Sequence, residues 1–190
     1  MVCLWHLLVA LLKTNKPVLI SIFGGKYMCN KLRNMTAIYL LHKSKILLLY
    51  RQGGKVVNNV WVASAGGHFE ENELNDPKRC VIRELKEELG LTEKDLTNFK
   101  MRYVALRRTK DEIRQNYYFF AEVSDGEMRN LTSNEGTLKW FDISEIHTLE
   151  MPYTAKYVIE HYLRIGMYNS QLYCGVADSK QVTFIELPEY

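Results

Sequence analysis

The chain has 190 residues, of which 47% are hydrophobic, with 25 Lys plus Arg and 22 Asp plus Glu. This length fits one domain with its own core, and the balance of apolar and charged residues excludes a disordered chain. No run approaches the roughly 20 apolar residues of a membrane-spanning helix. The net charge of +3 comes from the first 27 residues, since the rest is neutral. A protein that binds duplex nucleic acid through its phosphates is therefore not expected.

The beginning of the chain differs from the rest. Residues 1–12 are almost wholly apolar, but as a helix they would extend about 18 Å, less than the roughly 30 Å of a bilayer core. Lysines follow this stretch, whereas a signal peptide carries its positive charges before its apolar region. We expect residues 1–34 to be an atypical extension, with the natural start at Met28 or Met35. The alternative is an interfacial membrane anchor.

The cysteines lie far apart, at Cys3, Cys29, Cys80 and Cys174. They form no Cys-x-x-Cys pair, which disfavours a zinc site or a redox-active dithiol. Reduced thiols in a cytoplasmic protein are the expected state.

The first predicted elements are strands. Apolar, β-branched and aromatic runs at 37–41 and 45–50 predict a hairpin, which Gly53-Gly54 ends. A third strand is expected at 60–63. The pair Gly66-Gly67 then predicts a turn that permits positive φ and close backbone approach.

A helix is predicted to begin at Asp76-Pro77, because the carboxylate can cap free amides and proline suits the first helical position. Gly90 is expected to end it. Apolar residues recur between them at spacings of three and four, so one stripe should face the core while the other face is charged.

The second half of the chain continues the mixture of strands and helices. Strands are predicted at 100–108, 113–123 and 137–141, helical segments at 144–149 and 155–165, and a terminal hairpin at 172–176 and 182–187. Strands interleaved with helices in this way indicate a layered α/β or α+β domain with a mixed sheet.

Three carboxylates share one face of the predicted helix. Glu84, Glu87 and Glu88 stand at positions i, i+3 and i+4. Like charges so placed repel, and a divalent ion would relieve the repulsion. Mg²⁺ prefers carboxylate oxygens, backbone carbonyls and water, and it usually arrives with substrate phosphates. A solvated charged helix is the alternative interpretation.

The surroundings of this helix resemble the Nudix hydrolase signature, Gly-x5-Glu-x7-Arg-Glu-U-x-Glu-Glu-x-Gly-U, where U is a bulky aliphatic residue. Gly67 and Glu73 have the expected spacing, and the run from Arg83 to Leu91 matches fully. The chain departs from the pattern in having nine residues between Glu73 and Arg83. It also has Ala63-Ser64-Ala65 where the family often has a Leu-Pro step.

The resemblance covers residues 36 to about 165 and implies the fold. An α/β (α+β) domain is expected, a Nudix-type α/β/α sandwich with a mixed β-sheet. We expect this domain to span 35–166. Residues 167–190 are expected to form a C-terminal extension that carries the hairpin.

The resemblance also implies roles for residues of the motif. The catalytic carboxylates are expected to be Glu84, Glu87, Glu88 and Glu135, all of them metal ligands, with the carbonyl of Gly66 or Gly67 completing the site. The residues expected to support the motif are Glu73 and Arg83, which brace the loop by an ion pair, and Gly90. The implied cofactor is Mg²⁺, with Mn²⁺ as a substitute.

The implied reaction is hydrolysis of a nucleoside diphosphate-linked substrate. A nucleoside triphosphate such as 8-oxo-dGTP, cleaved to monophosphate and pyrophosphate, is the expected small-molecule partner. Arg107, Arg108 and Arg114 are candidates for phosphate binding, although basic hairpin ends are often simply solvated. His68 and the aromatic run 117–120 are further candidates, with a surface histidine and core packing as the alternatives.

Other functions remain open at this point. A Nudix hydrolase could act instead on a nucleotide sugar, a coenzyme or a capped RNA end. From another class, the chain could be a non-catalytic nucleotide-sensing module, although such a module has no need of three clustered carboxylates. The sequence leaves the oligomeric state open between a monomer and a homodimer.

Overall fold

The computed structural model describes residues 31–52, 59–128 and 131–189. The apolar beginning of the chain, the start expected at Met28 and the break at Gly53-Gly54 lie outside the described residues. In the described part, no helix is long and apolar enough to cross a membrane.

Eight strands and three α-helices form the described domain. The strands are β1 (Lys31–His42), β2 (Lys45–Arg51), β3 (Val60–Val62), β4 (Leu96–Thr109), β5 (Glu112–Val123), β6 (Gly136–Asp142), β7 (Leu172–Ala177) and β8 (Val182–Leu187). The helices are α1 (Pro77–Leu89), α2 (Asp125–Met128) and α3 (Tyr153–Arg164). Short 3-10 turns lie at Glu71–Glu73, Glu93–Asp95, Ile143–Thr148 and Gly166–Tyr168. Each predicted strand and helix is therefore present, with shifted ends.

The strands form one mixed sheet in the order β3-β2-β1-β5-β4-β7-β8, and β6 pairs with β2. The pairs β1–β5 and β4–β7 are parallel, whereas the other pairs are antiparallel. The predicted mixed sheet is confirmed.

Strand β1 begins at Lys31, which is earlier than the predicted start at residue 37. Its first residues pair with β5, from Lys31 opposite Glu112 onward. The prediction was wrong because the pattern of this segment is polar, while its strand conformation depends on a partner far away in the sequence. Residues 31–34, which we expected in the extension, belong to this strand.

Helices cover both faces of the sheet. Helix α1 packs Val81, Leu85 and Leu89 against one apolar cluster, and α3 packs Val158 and Ile159 against the other. The predicted α/β/α arrangement around a mixed sheet is confirmed. The division of the chain at 34/35 and 166/167 stays a prediction, although the β7–β8 hairpin continues the central sheet through β4.

Strands β1 and β2 separate after a short shared stretch, and this separation makes room for the site. They pair only near their turn, from Leu40 opposite Leu47 to His42 opposite Lys45. The buried Ser64 hydroxyl then joins the two strands, since it donates to the Leu47 carbonyl at 2.6 Å and accepts from the Leu40 amide at 2.9 Å. Beyond this point the glycine segment takes the place of β2 beside β1.

Candidate functional site

Helix α1 begins and ends as the sequence predicted. Asp76 accepts a hydrogen bond from the Arg79 amide at 2.9 Å, and Pro77 occupies the first helical turn. Gly90 ends the helix with φ 71°, a left-handed conformation that favours glycine. These two ends fix the register of the helix, and hence the direction in which its carboxylates point.

The glycine turn approaches both β1 and α1 closely. Gly66 has φ +148°, and a Cβ atom there would lie 2.3 Å from the Thr36 carbonyl oxygen. At Gly67 a Cβ atom would lie 2.2 Å from the Glu84 carboxylate. The first glycine thus lets the backbone pass β1, and the second leaves the space that the Glu84 carboxylate occupies.

These two glycines predict different results on substitution. We expect Gly66→Ala to lower the free energy of unfolding by about 1–3 kcal/mol or more. The positive φ strains an alanine at this position, and its Cβ atom would also clash with the Thr36 carbonyl oxygen. Gly67→Ala meets the end of a flexible side chain, so stability should change by less than about 1 kcal/mol while Glu84 is displaced. Circular dichroism melts and hydrolysis rates of both variants check this. Equal stability of the two variants would contradict it.

Glu73 and Arg83 form a partly buried ion pair. The guanidinium donates from Nε to Glu73 Oε1 at 2.8 Å and from Nη2 to Oε2 at 3.0 Å. Glu73 is 2% exposed, and it also accepts from the Glu70 amide. The hydrogen bonds from Arg83 outweigh burial and lower the pKa of Glu73 to about 2. The two additional residues in the loop have therefore not separated these side chains.

Arg83 also connects the loop to two of the three carboxylates of the helix. Its Nη1 donates to Glu84 at 2.9 Å and to Glu87 at 3.0 Å, and its Nη2 donates to the His68 carbonyl at 3.0 Å. The hydrogen bond to Glu73, followed by that to Glu84, raises the pKa of Arg83. Glu87 is exposed, whereas Glu84 is partly buried and burial raises its pKa.

Glu88 lies on the inner side of the helix face. Its carboxylate accepts a hydrogen bond from the Gly66 amide at 3.2 Å. Burial is the main cause that raises its pKa to about 7; Glu84 and Glu135 raise it further, and Gly66 and Arg51 oppose the shift. Glu135 accepts from Arg51 at 3.1 Å. Negative charges therefore gather around Glu88 with Arg51 as a nearby cation.

Two adjoining cavities open at this point. A polar cleft of about 390 Å³ is lined by Glu84, Glu88 and Glu135, together with the glycine turn. A pocket of about 180 Å³ is lined mainly by apolar and aromatic side chains of β1, β2, β5 and the start of α3. Met35, Arg51, Gly66 and Glu88 line both. One molecule could therefore occupy the cleft with a charged part and the pocket with an apolar part.

A family model of the NUDIX domain matches residues 31–162. The chain belongs to the Nudix family. The match includes the cleft and the pocket, and it confirms the resemblance found in the helix motif. A comparison with curated proteins finds no match.

Several solved structures have the same fold. A mutator MutT protein from Bacillus halodurans is 22% identical, with a TM-score of 0.59, covering 83% of this chain and 99% of that one. The E. coli ORF135 protein is 21% identical, with a TM-score of 0.58 and coverage of 77% and 99%. An Ap4A hydrolase from C. elegans is 16% identical, with a TM-score of 0.56 and coverage of 73% and 99%.

The Nudix carboxylates offer oxygen ligands of the kind that Mg²⁺ prefers. In the described residues, however, no three His, Cys, Asp or Glu side chains are already arranged to hold a metal ion. Glu84 and Glu87 are bound by Arg83, and Glu88 is bound by the Gly66 amide. The donor chemistry fits a hard cation, and these side chains would have to turn toward it. Their roles as metal ligands stay predictions.

Arginines line the Nudix site or contact residues that line it. Arg33 donates to the His68 ring, Arg51 binds Glu135, and Arg114 lines the apolar pocket. Burial, followed by the charge of Arg33, lowers the pKa of His68. Arg51 and Arg114 therefore bring positive charge to the edge of the two cavities, and Arg114 is also paired with Glu112.

Of the basic residues predicted from the sequence, Arg114 reaches the Nudix site and the other two do not. Arg107 packs over the Tyr153 ring, 4.8 Å from its centroid, and neither Arg107 nor Arg108 is among the described residues that line the two cavities. Arg107 is directly opposite Arg114 and faces the same side of the sheet, but β4 lies one strand farther from β1 than β5 does. Arg108, as the next residue of the strand, faces the other side.

The sequence interpretation missed several residues of the Nudix site. Arg51 on β2 and Asn116 on β5 line the pocket, and Arg33 on β1 contacts His68, which lines the cleft. Arg33 is opposite Arg114 because β1 and β5 are parallel neighbours. No local pattern reveals such a pairing. The aromatic run 117–120 divides between faces, with Tyr118 at the pocket and Phe119 in the core beneath α1.

Proposed function

We propose that this Nudix protein is a Mg²⁺-dependent hydrolase of phosphoric anhydrides, with Mn²⁺ as a substitute. Its proposed substrate is a nucleoside diphosphate-linked compound, first of all a nucleoside triphosphate such as 8-oxo-dGTP, which would be cleaved to a monophosphate and pyrophosphate. The observation that carries the proposal is the polar cleft in which Glu84, Glu88 and Glu135 adjoin an apolar pocket and a rim of arginines.

The side chains of the cleft suit the charges of such a substrate. Arg51 and Arg114 stand at the mouth and can donate to phosphate oxygens. Glu84 and Glu88 would hold the cation, which when bound neutralises phosphate charge and acidifies water. Glu135 is half exposed, beside Arg51, and can accept a proton from the attacking water. Arg83 and Glu73 keep the glycine turn and the helix at a fixed separation.

The alternative substrates contain the same kind of bond. A nucleotide sugar, a coenzyme or a capped RNA end also joins a base to a phosphoric anhydride. The C. elegans neighbour, by its name, hydrolyses Ap4A, so a dinucleoside polyphosphate belongs in the same comparison. A non-catalytic sensing module would bind these compounds without turnover.

The test is a panel of such nucleotides with Mg²⁺, Mn²⁺ or excess chelator, followed by phosphate release and by chromatography of the products. We expect hydrolysis with either metal and none in chelator. Turnover in chelator at the full rate would refute the metal requirement. Binding without hydrolysis of any compound would instead support the sensing module.

We also propose a cytoplasmic location and a small-molecule partner rather than duplex nucleic acid. The described cysteines Cys80 and Cys174 are free thiols, as expected in a reducing compartment. The oligomeric state, monomer or homodimer, stays a prediction that light scattering of the purified protein checks.

A further inference from the structure

Three arginines lie side by side on neighbouring strands of the sheet. Arg33 on β1 is directly opposite Arg114 on β5, and Arg107 on β4 is directly opposite Arg114 from the other side. Opposite residues point to the same face of a sheet, and neighbouring strands lie about 4.8 Å apart. These three side chains, which we call the arginine row, therefore start from positions that span roughly 10 Å. Like charges placed directly opposite each other destabilise a sheet, so the fold alone does not favour this arrangement.

The arginine row carries more positive charge than its ion pairs balance. Glu112 lies 2.6 Å from Arg114 Nε and 3.7 Å from Arg33 Nη1. Arg107 forms no ion pair among the described residues and lies instead over the Tyr153 ring, 4.8 Å from its centroid. Stacking uses the flat face of a guanidinium and leaves the N–H groups at its edge free to donate. Three cations thus share one carboxylate, and Arg107 keeps its donors available.

A second carboxylate near this end of the arginine row is bound by backbone. Asp178, in the turn after β7, acts electrostatically on Tyr153. Its carboxylate accepts hydrogen bonds from the amides of Lys180 and Gln181 at 2.6 and 2.9 Å. Asp178 therefore stabilises its own turn and does not pair with Arg107.

The arginine row begins beside the polar cleft and continues past the apolar pocket. Arg33 donates to the His68 ring, and His68 lines the cleft. Arg114 lines the pocket, and Arg107 lies one strand beyond it. A chain of negatively charged groups that starts in the cleft can therefore meet one arginine after another.

The charge and the shape of the arginine row suit a chain of phosphates. Guanidinium groups bind phosphate oxygens through pairs of N–H groups. Because the three side chains follow one another across the strands, they fit several phosphates in sequence better than a single one. The acidic cleft would hold the cation and the anhydride that is cleaved, and phosphates farther along the chain would lie on the arginines.

We propose that the arginine row is a second phosphate-binding site, which makes the protein prefer nucleotides whose phosphate chain is longer than a triphosphate. This inference rests on the proposed hydrolase function and narrows its substrate class to nucleoside and dinucleoside polyphosphates with long chains. The row binds the part of the chain that is not cleaved. Its arginines therefore determine specificity and take no part in breaking the bond.

The preference is measured as the ratio of kcat/KM for adenosine 5′-tetraphosphate to kcat/KM for ATP. We expect the wild type to favour the tetraphosphate about tenfold and Arg107→Gln to bring the ratio close to one, since it removes charge-assisted hydrogen bonds that only the longer chain reaches. Arg108→Gln is the matched control, because Arg108 is the next residue of the strand, is exposed and faces the other side. It loses the same charge and should keep the wild-type ratio.

Two outcomes would overturn the proposal. One is a wild-type ratio near one, and the other is the same ratio in Arg107→Gln and Arg108→Gln. Because Arg107 also packs on Tyr153, circular dichroism melts check that its variant is folded. Arg33→Gln provides a second test at the other end of the row, where we expect the same fall in the ratio.

A binding experiment keeps this inference distinct from the proposed function. Thermal unfolding of the full chain is measured with and without inorganic tetrapolyphosphate, in the absence of metal. We expect stabilisation of the wild type and of Arg108→Gln, and less of Arg107→Gln and Arg33→Gln. If no nucleotide is hydrolysed but this pattern holds, the hydrolase proposal fails and the phosphate site stands. If tetrapolyphosphate stabilises no form, or all forms equally, the phosphate site is overturned even where nucleotides are hydrolysed.

Discussion

Glu88→Gln should lower kcat by about 10³-fold or more while the protein remains folded. Glu88 lies between the glycine turn and the acidic cleft, and its carboxylate is the motif group that both cavities share. The amide of glutamine can still accept from the Gly66 amide, so the local backbone contact is preserved. It supplies no negative charge, and the affinity of the cleft for a divalent cation should fall with it.

The measurement needs a control and a second readout. Glu160→Gln changes an exposed carboxylate on α3 and should leave the rate unchanged. Titration with Mg²⁺, followed by thermal unfolding without substrate, should show stabilisation of the wild type and not of Glu88→Gln. A variant that retains the wild-type rate would remove Glu88 from the catalytic site. A loss of the folded state would be visible in the same melts.

Glu73→Gln should lower the free energy of unfolding by about 3 kcal/mol, because it leaves the Arg83 guanidinium without its buried partner. The two side chains share two hydrogen bonds, and Glu73 is almost fully enclosed. Urea unfolding of the single variants and of Glu73→Gln with Arg83→Gln measures the coupling. We expect the double variant to lose less than the sum of the two, since one interaction can be lost only once.

The control for this pair is an ion pair on the surface. Lys78 and Glu93 are 2.7 Å apart, yet both are more than half exposed. Glu93→Gln should therefore cost less than about 1 kcal/mol. Strict additivity of the Glu73 and Arg83 variants would show that their contact contributes nothing to stability.

The Glu73–Arg83 ion pair should make the free energy of unfolding depend on pH. The pKa of Glu73 falls from its ordinary 4.5 to about 2 in the folded protein. A carboxyl group with a lowered pKa stabilises the fold above its unfolded value and loses that contribution as the pH falls through the folded value. The stability difference between the wild type and Glu73→Gln should thus be constant near neutral pH and shrink between about pH 4.5 and 2. A difference that grows on acidification would contradict the assignment.

Local signals predicted most of the fold. Asp76, Pro77 and Gly90 define a helix by the chemistry of its ends, and the apolar runs that became β2, β5 and β8 have the composition of strands. The first half of β1 gave no such signal. Lys31 and Arg33 are extended because β5 lies beside them, and propensity contains no information about a partner so distant in the sequence.

The site residues that lie on one helix could be predicted from the sequence. Those that come together from different strands of the sheet could not. Glu84, Glu87 and Glu88 follow from a spacing of three and four residues. Arg51 and Asn116 come from different strands, and the arrangement of the strands in the sheet places both in the lining of one pocket. Nothing in the residues around Arg107 distinguishes it from Arg114. The two are opposite each other on β4 and β5 and face the same side of the sheet, and the strand order, which places β5 and not β4 beside β1, decides which of them reaches the pocket.

The loop between Glu73 and Arg83 shows that the Nudix motif depends on a contact in space and not on an exact number of residues. The motif specifies seven residues between the glutamate and the arginine, whereas this chain has nine and still forms the ion pair. The Glu71–Glu73 turn and the Asp76 cap hold the two ends of the loop, and between them the chain is exposed at Leu74. Distance in space, not separation along the chain, is what the ion pair requires. A search that allows this interval to vary, while keeping the helix half strict, would find family members that a fixed spacing overlooks. The same stretch is a natural place to lengthen the loop in an engineered variant without moving the carboxylates.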